Sequence, residues 1–364
     1  MSRPTIYAAI TNHGFGHTTR MASVLAALQA LRPDVLIILV TTASRPLLES
    51  YLTGDFIVRP RPLDVGIVQP DGIVLDQAST LEKLHHLQAR QQQIIQAEVQ
   101  FIEQNRVGLV VGDIPPLAAA LARQAGIPCW MMGNFGWDFI YRPWGGGFEA
   151  VADWISGCYG QVDRLFRLPF HEPMAAFPQM MDVGLTGGDP RFALKALEEH
   201  LGITAPRHRT VLLTFGGLGL GGLPYDQLAR FPEWQFITFD RQAPPLPNLI
   251  SAIAAPPLEG YRLRPVDVMP RCHCVISKPG YSTFAEAVRV GLPVVTITRE
   301  GFAEAPLLLQ GLQRCMPHRI VEAADFLSQP WDFLESPLVM PANPETISHD
   351  GNGAIAGAIA EFFS

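Results

Sequence analysis

The chain has 364 residues, 48% of them hydrophobic and 17% charged, with a formal charge of −7. That length accommodates two domains, and the apolar content excludes intrinsic disorder as the main state. With no basic arm or block, nucleic-acid binding by phosphate neutralisation is excluded, and 32 Gly and 32 Pro without a period exclude collagen-like and low-complexity architectures.

From the N-terminus, Thr5–Thr11 reads as a strand and Thr18–Leu31 as a helix with Met21, Val24, Leu25 and Leu28 on one face. No apolar core long enough for a secretory signal follows Met1. Val35–Val40 is a second buried strand and the most continuous apolar run, far short of the ~20 residues of a membrane span. Leu81–Gln104 is the longest helical pattern. Val107–Val111, the helix Pro116–Ala125 and the strand Ile127–Met132 then form a strand–helix–strand unit, which implies parallel pairing with right-handed crossovers. Pro169–Pro190 breaks the rhythm and reads as an interdomain connection. Strands are expected again at Thr210–Phe215, Trp234–Phe239, Leu249–Ile253, Cys272–Ser277 and Leu292–Thr298. Helices are expected at Thr283–Val290, Ala305–Arg314 and Gly351–Phe363. The expected architecture is α/β: two doubly wound parallel-sheet lobes, 1–170 and 191–345, joined by a linker at 171–190 and facing a central cleft. A C-terminal helix at 346–364 is able to cross back to the first lobe.

Five cysteines (Cys129, Cys158, Cys272, Cys274, Cys315) are an odd count in a long chain and point to free thiols in a reducing cytoplasm. Cys272-His273-Cys274 has no second ligand pair and leads into a buried strand, so these cysteines read as structural and no metal site is expected.

Three glycine-containing loops follow expected strands, where open α/β sheets place ligands. The first, Asn12-His13-Gly14-Phe15-Gly16-His17-Thr18-Thr19-Arg20, enters a helix directly but lacks the third glycine of a dinucleotide fingerprint. Its histidines suit proton transfer, and each also suits a helix-capping or core role. The second, Phe215-Gly216-Gly217-Leu218-Gly219-Leu220-Gly221-Gly222, exposes amides that suit a diphosphate, or is a flexible turn; it is not a P-loop. The third is Ser277-Lys278-Pro279-Gly280-Tyr281-Ser282-Thr283, followed by Glu286 and then Gly291-Leu292-Pro293. Hydroxyls and helix-start amides suit phosphate, and Glu286 suits a ribose diol, while Thr283 to Glu286 also has capping-box spacing. Lys278 is one of only three lysines in the chain, against 24 arginines. Asp113 before Pro115-Pro116 reads first as a helix N-cap, with a role in the cleft as the alternative. Aromatics from Trp137 to Phe148 suit sugar stacking or core packing. Asp64 to Asp71 is a polar loop with no chemical signature of its own.

On these loops the sequence resembles glycosyltransferases of the two-domain GT-B type, family 28-like. The segment Ser277–Pro293 is similar to the nucleotide-sugar signature of the peptidoglycan lipid-intermediate N-acetylglucosaminyltransferase. A closer resemblance is to the glycosyltransferase-like N-terminal region of plant L-arabinokinases. It is carried by Gly14–Arg20, by Asn134-Phe135-Gly136-Trp137-Asp138-Phe139-Ile140-Tyr141, by Arg167-Leu168-Pro169 with Met174-Ala175-Ala176-Phe177, and by Gly280–Thr283. The matching motifs all lie in the transferase-like half of those proteins, so kinase activity is not expected from the resemblance.

The resemblance implies an inverting glycosyltransferase, independent of metal and without a separate cofactor, whose co-substrate is a nucleotide-diphosphate sugar, uridine-linked. The donor would sit on the second lobe, with Gly216, Gly217, Gly219, Lys278, Gly280, Ser282 and Thr283 at the diphosphate and Glu286 at the ribose. Glu300 and Glu304 would face the donor sugar. His17 is the first choice for the catalytic base, with His13 and Asp138 behind it. Gly14, Gly16, Asn134 and Trp137 would lie on the acceptor side. The acceptor would be a small molecule or lipid-linked, with peripheral membrane contact. The alternatives are a nucleotide-sugar epimerase or hydrolase on the same fold, with Asp113, Glu300 and Glu304 as the carboxylates to watch, and a non-catalytic nucleotide-sugar-binding module.

Overall fold

Two parallel sheets organise the protein, seen here in a computed structural model that describes residues 3–69, 74–216 and 222–364. The first contains β1 (Thr5–Ile10), β2 (Leu36–Val40), β3 (Phe56–Arg59), β4 (Leu109–Asp113), β5 (Cys129–Gly133), β6 (Arg164–Arg167) and β7 (Met180–Asp182) in the order β3-β2-β1-β4-β5-β6-β7. The second contains β8 (Thr210–Leu213), β9 (Gln235–Thr238), β10 (Leu249–Ser251), β11 (Cys274–Ser277), β12 (Val294–Ile297) and β13 (His318–Val321) in the order β10-β9-β8-β11-β12-β13. β1 and β4 are buried along their whole length, as parallel strands covered by helices on both faces require.

Each sheet reverses its winding once, between β1 and β4 in the first and between β8 and β11 in the second. At such a switch point the loops leaving the strands part to either side and open a crevice at their carboxyl ends. The two crevices face one another, so the loops after β1, β4, β8 and β11 converge.

The stretch expected as pure linker holds β7, which pairs with β6 through Leu165–Met180 to Arg167–Asp182. An exposed three-residue edge strand carries no apolar alternation, which is why its pattern reads as irregular. The helix Gly351–Phe362 packs on the helix Gly16–Leu31 of the first lobe. Arg32 Nη1 donates to Ala360 O (3.1 Å), and Trp130 meets Phe362 edge to face at 5.4 Å. One apolar cluster runs through both lobes, from Met21 and Leu25 to Phe284, Leu308 and Ile355.

Ile355 is fully buried between the C-terminal helix and the first lobe. Ile355→Ala is expected to lower the unfolding free energy by about 2–5 kcal/mol, read from urea denaturation. An unchanged midpoint would show that the C-terminal helix contributes no stability.

Candidate functional site

The helix Gly16–Leu31 starts directly off the β1 loop, and Gly14 turns the chain at φ +64°, a conformation that glycine adopts without strain. The first intrahelical bond is Thr19 N–H to Phe15 O (2.9 Å), so the amides before it point their positive end at the cleft. His17 and Arg20 are one turn apart and both buried. They meet Asp113, the last residue of β4, at the switch point.

Asp113 is fully buried and is not the helix cap its sequence position indicated; Pro115 occupies that place without a side-chain cap bond. Its Oδ1 lies 2.8 Å from His17 Nδ1. Arg20 donates to it twice, Nε to Oδ2 and Nη2 to Oδ1, both at 2.6 Å. Burial alone would raise the Asp113 carboxyl, but Arg20 and His17 hold it below its ordinary value. Ile114, the next residue, adopts φ +53°. A β-branched residue in that region stores about 1–3 kcal/mol of strain at the turn that leaves Asp113 facing the cleft.

The network continues across the lobes. Arg20 Nη1 donates to Asn134 Oδ1 (2.7 Å), and Asn134 Nδ2 donates to Glu304 Oε1 (2.7 Å) at the start of the helix Glu304–Cys315. Ser282 Oγ donates to Gly16 O (2.7 Å), and Trp144 Nε1 donates to Gly301 O (3.0 Å).

The two histidines have different tautomers. The Asp113 carboxylate at 2.8 Å is nearer to Nδ1 than Arg20 Nη2 at 3.0 Å, and Nη2 already donates to Asp113, so neutral His17 carries its proton on Nδ1 and leaves Nε2 basic. Burial and then Arg20 lower its pKa, outweighing Asp113, so the ring is neutral near pH 7. His13 Nδ1 instead accepts from Ile67 N–H (3.3 Å), which puts the proton of the neutral ring on Nε2. Burial, then His17, Arg299 and Lys278, push its pKa well down. His13 is therefore a hydrogen-bond donor through Nε2, while His17 keeps a basic Nε2.

Opposite these groups, the helix Tyr281–Val290 begins after Gly280, and Phe284 N–H to Gly280 O (3.1 Å) is its first intrahelical bond. The amides of Tyr281, Ser282 and Thr283 thus precede the helical ladder, and Thr283 sits inside the helix, so Thr283 and Glu286 form no capping box. A cavity of about 110 Å³ lies between the two helix starts, lined by His13, Gly14, Gly16, His17, Gly216, Lys278, Gly280, Ser282, Thr283 and Glu304 among others. Pockets that enclose a drug-sized ligand run to about 300–1,000 Å³, so a nucleotide sugar requires the lobes to part.

Other expected residues lie elsewhere. Asp138 Oδ2 accepts from Ser156 Oγ (2.9 Å), and Asp138 does not line the cavity. Glu300 is exposed and also off the cavity wall. Trp137 is buried behind His13 with its Nε1 donating to Thr11 Oγ1 (3.0 Å) and Asp64 Oδ2 (3.2 Å). Asn134 bridges Arg20 and Glu304 rather than facing the cavity. Glu286 is buried behind the wall, its Oε1 accepting from Gly188 N–H (3.0 Å) and Tyr51 OH (3.4 Å). A ribose reaches Glu286 only once Gly187, Gly188 and Tyr51 move aside. Gly217, Gly219, Asp71, Met1 and Ser2 lie outside the described residues.

Sequence reasoning assigned no individual role to Asp64 or Arg299. Asp64 is buried, pushed up to about 6 by burial, and bonded to Asn12 N–H (2.9 Å), Thr11 and Trp137. Arg299 is a buried cation on the cavity wall. Cys272 and Cys274 are buried, the Cys274 thiol pushed up to about 12. No group of three or more His, Cys, Asp or Glu suited to a metal ion occurs among the described residues. No helix among them is long and apolar enough to cross a membrane.

No protein-family model matches the chain. It is similar to an L-arabinokinase of Arabidopsis thaliana, 30% identical over 314 residues, which is 84% of this chain and 29% of that protein. The chain thus spans less than a third of that relative's length. Among solved structures, the calicheamicin glycosyltransferase CalG4 superposes with a TM-score of 0.59 at 15% identity, covering 100% of this chain and 98% of that one. Phytolacca americana UGT2, complexed with UDP-2-fluoro-glucose and pterostilbene, gives 0.56 at 14% identity, covering 99% and 94%. A putative UDP-N-acetylglucosamine 2-epimerase of Listeria monocytogenes gives 0.56 at 13% identity, covering 100% and 97%. The chain has the GT-B fold of two facing Rossmann-like lobes.

Glu286 provides a pH test of the closed state. Burial pushes its carboxyl from 4.5 up to about 7, against the opposing pull of the Gly188 amide and Arg264. An acid whose pKa is higher when folded stabilises fully below the unfolded value and loses that contribution as pH rises to the folded one. Stability should therefore fall between about pH 4.5 and 7 by on the order of 3 kcal/mol from this group. Glu286→Gln is expected to flatten that fall and to raise stability at pH 8 with no change at pH 4, measured by chemical denaturation. Parallel pH profiles for the two proteins would show that Glu286 is not buried in solution.

Proposed function

We propose that the protein is a glycosyltransferase of family 28 type. It would move a sugar from a UDP-linked donor to the hydroxyl of a small-molecule or lipid-linked acceptor, with inversion and without a metal. The observation that carries this reading is the His17–Asp113 pair at one wall of a cavity whose other wall is a helix start flanked by Lys278. A base and an anion receptor set face to face suit an in-line displacement. His17 Nε2 would take the acceptor proton as the acceptor oxygen bonds to the anomeric carbon. The bond from that carbon to the diphosphate breaks, and the charge left on the phosphate is received by Lys278 and the amides near Gly280. Fixed protein cations and amides supply the countercharge that a divalent ion would otherwise provide. Asp113 holds His17 in the required tautomer, and Arg20 keeps Asp113 ionised. Five unpaired cysteines support a reducing, cytoplasmic setting.

A second reading, epimerisation of the donor sugar, is favoured by Glu304, a buried acid on the cavity wall whose pKa burial raises. The two are separated by incubation with UDP-sugars. UDP release that needs an acceptor identifies transfer, and solvent deuterium entering the sugar without an acceptor identifies epimerisation. Thermal stabilisation by UDP-sugars with neither reaction identifies a binding module.

His17→Ala is expected to lower kcat by about 10²–10⁴-fold, the usual contribution of a general base. Donor affinity by calorimetry should stay within a factor of about two. A normal turnover rate in the variant removes His17 from the mechanism.

A further inference from the structure

Four arginines are buried among the described residues: Arg20, Arg264, Arg271 and Arg299. Three have carboxylate partners, Arg20 on Asp113, Arg264 on Asp267 and Arg271 on Glu198. Arg299 is 8% exposed, and its Nε and Nη2 have no hydrogen-bond partner among the described residues. A guanidinium in that condition forfeits its hydration without replacement, a cost that folding alone does not explain. Glu304, whose field reaches Arg299, is bonded to Asn134 instead.

The position of Arg299 is specific. It follows β12, one strand beyond the loops after β8 and β11 where the diphosphate is placed. Its guanidinium lies 4.1 Å over the Phe302 ring, and that ring also stacks on His13 at 5.9 Å. Arg299 therefore stands on the cavity wall near the histidines, as a positive group additional to Lys278 and the helix start. A guanidinium is a planar fork of donors, the geometry that matches a carboxylate with two parallel hydrogen bonds. A neutral hexose offers hydroxyl acceptors but no charge to match the guanidinium.

Resting on the transfer reading above, we propose that Arg299 is a specificity-determining residue that receives the carboxylate of the transferred sugar, so that the donor is a nucleotide-linked uronic acid.

The test is calorimetric titration of wild type, Arg299→Met and Arg299→Lys with UDP, UDP-glucose and UDP-glucuronate. Wild type should bind UDP-glucuronate at least about tenfold tighter than UDP-glucose, the scale of one charge-assisted pair. In Arg299→Met that ratio should fall to about one while UDP affinity holds within about twofold, and Arg299→Lys should be intermediate. Equal affinity of wild type for the two sugars overturns the proposal. So does a loss in Arg299→Met that UDP shares, which would assign Arg299 to the diphosphate. If wild type binds no UDP compound, the donor reading fails, and thermal shift with free glucuronate against glucose still decides the role of Arg299. Stabilisation by glucuronate that Arg299→Met abolishes supports it, and no stabilisation overturns it. Removing an unpaired buried charge should leave Arg299→Met melting no lower than wild type, so a folding defect would count against an unpaired guanidinium.

Discussion

The Asp113 carboxylate is the centre on which the site is built. It lies wholly out of water, and such a charge persists only where bonded cations and hydrogen-bond donors surround it. Arg20 supplies two short bonds and His17 a third contact, all from one turn of a single helix. The same carboxylate thereby fixes the depth of that helix in the cleft, the charge of Arg20 and the tautomer of His17. Removing it would leave a buried guanidinium without its countercharge, so fold and chemistry share one residue.

From Asp113 the polar order extends through Arg20 and Asn134 to Glu304 on the second lobe. This chain, the Ser282 bond to Gly16 and the Trp144 bond to Gly301 draw the lobes together over a small cavity. Each is a single bond to one side chain or carbonyl, the kind of contact that domains make and break as they move. The apolar layer from Met21 to Ile355 is far larger and continuous, and so forms the side about which the cleft can open. Gly188 and Tyr51 also cover Glu286, so that acid is buried where the two lobes meet.

The alternation of short apolar strands with helices was legible in the chain because fully buried parallel strands such as Leu36–Val40 and Leu109–Asp113 leave continuous hydrophobic runs. The edge strands of the first sheet were not: Phe56–Arg59 and Met180–Asp182 are half-buried or exposed, and each is too short to set a pattern. Among site residues, His17, Lys278 and Gly280 were visible because glycine-bearing loops after strands mark where backbone can approach a ligand. Asp113 read first as a helix cap, since a carboxylate before two prolines has the local signature of one, and its cleft role was the second reading.

The amino-acid order by itself therefore settles the two-lobe α/β plan and the loops at which chemistry is placed, because strand burial, helix periodicity and glycine turns are short-range properties. Which charges meet was decided by tertiary structure alone. His17 and Asp113 are 96 positions apart, and Asn134 and Glu304 are 170 apart. Whether a buried ion finds a carboxylate, as Arg20 does, or keeps donors unpaired among the described residues, as Arg299 does, depends on distances of a few ångströms between elements that no local pattern encodes.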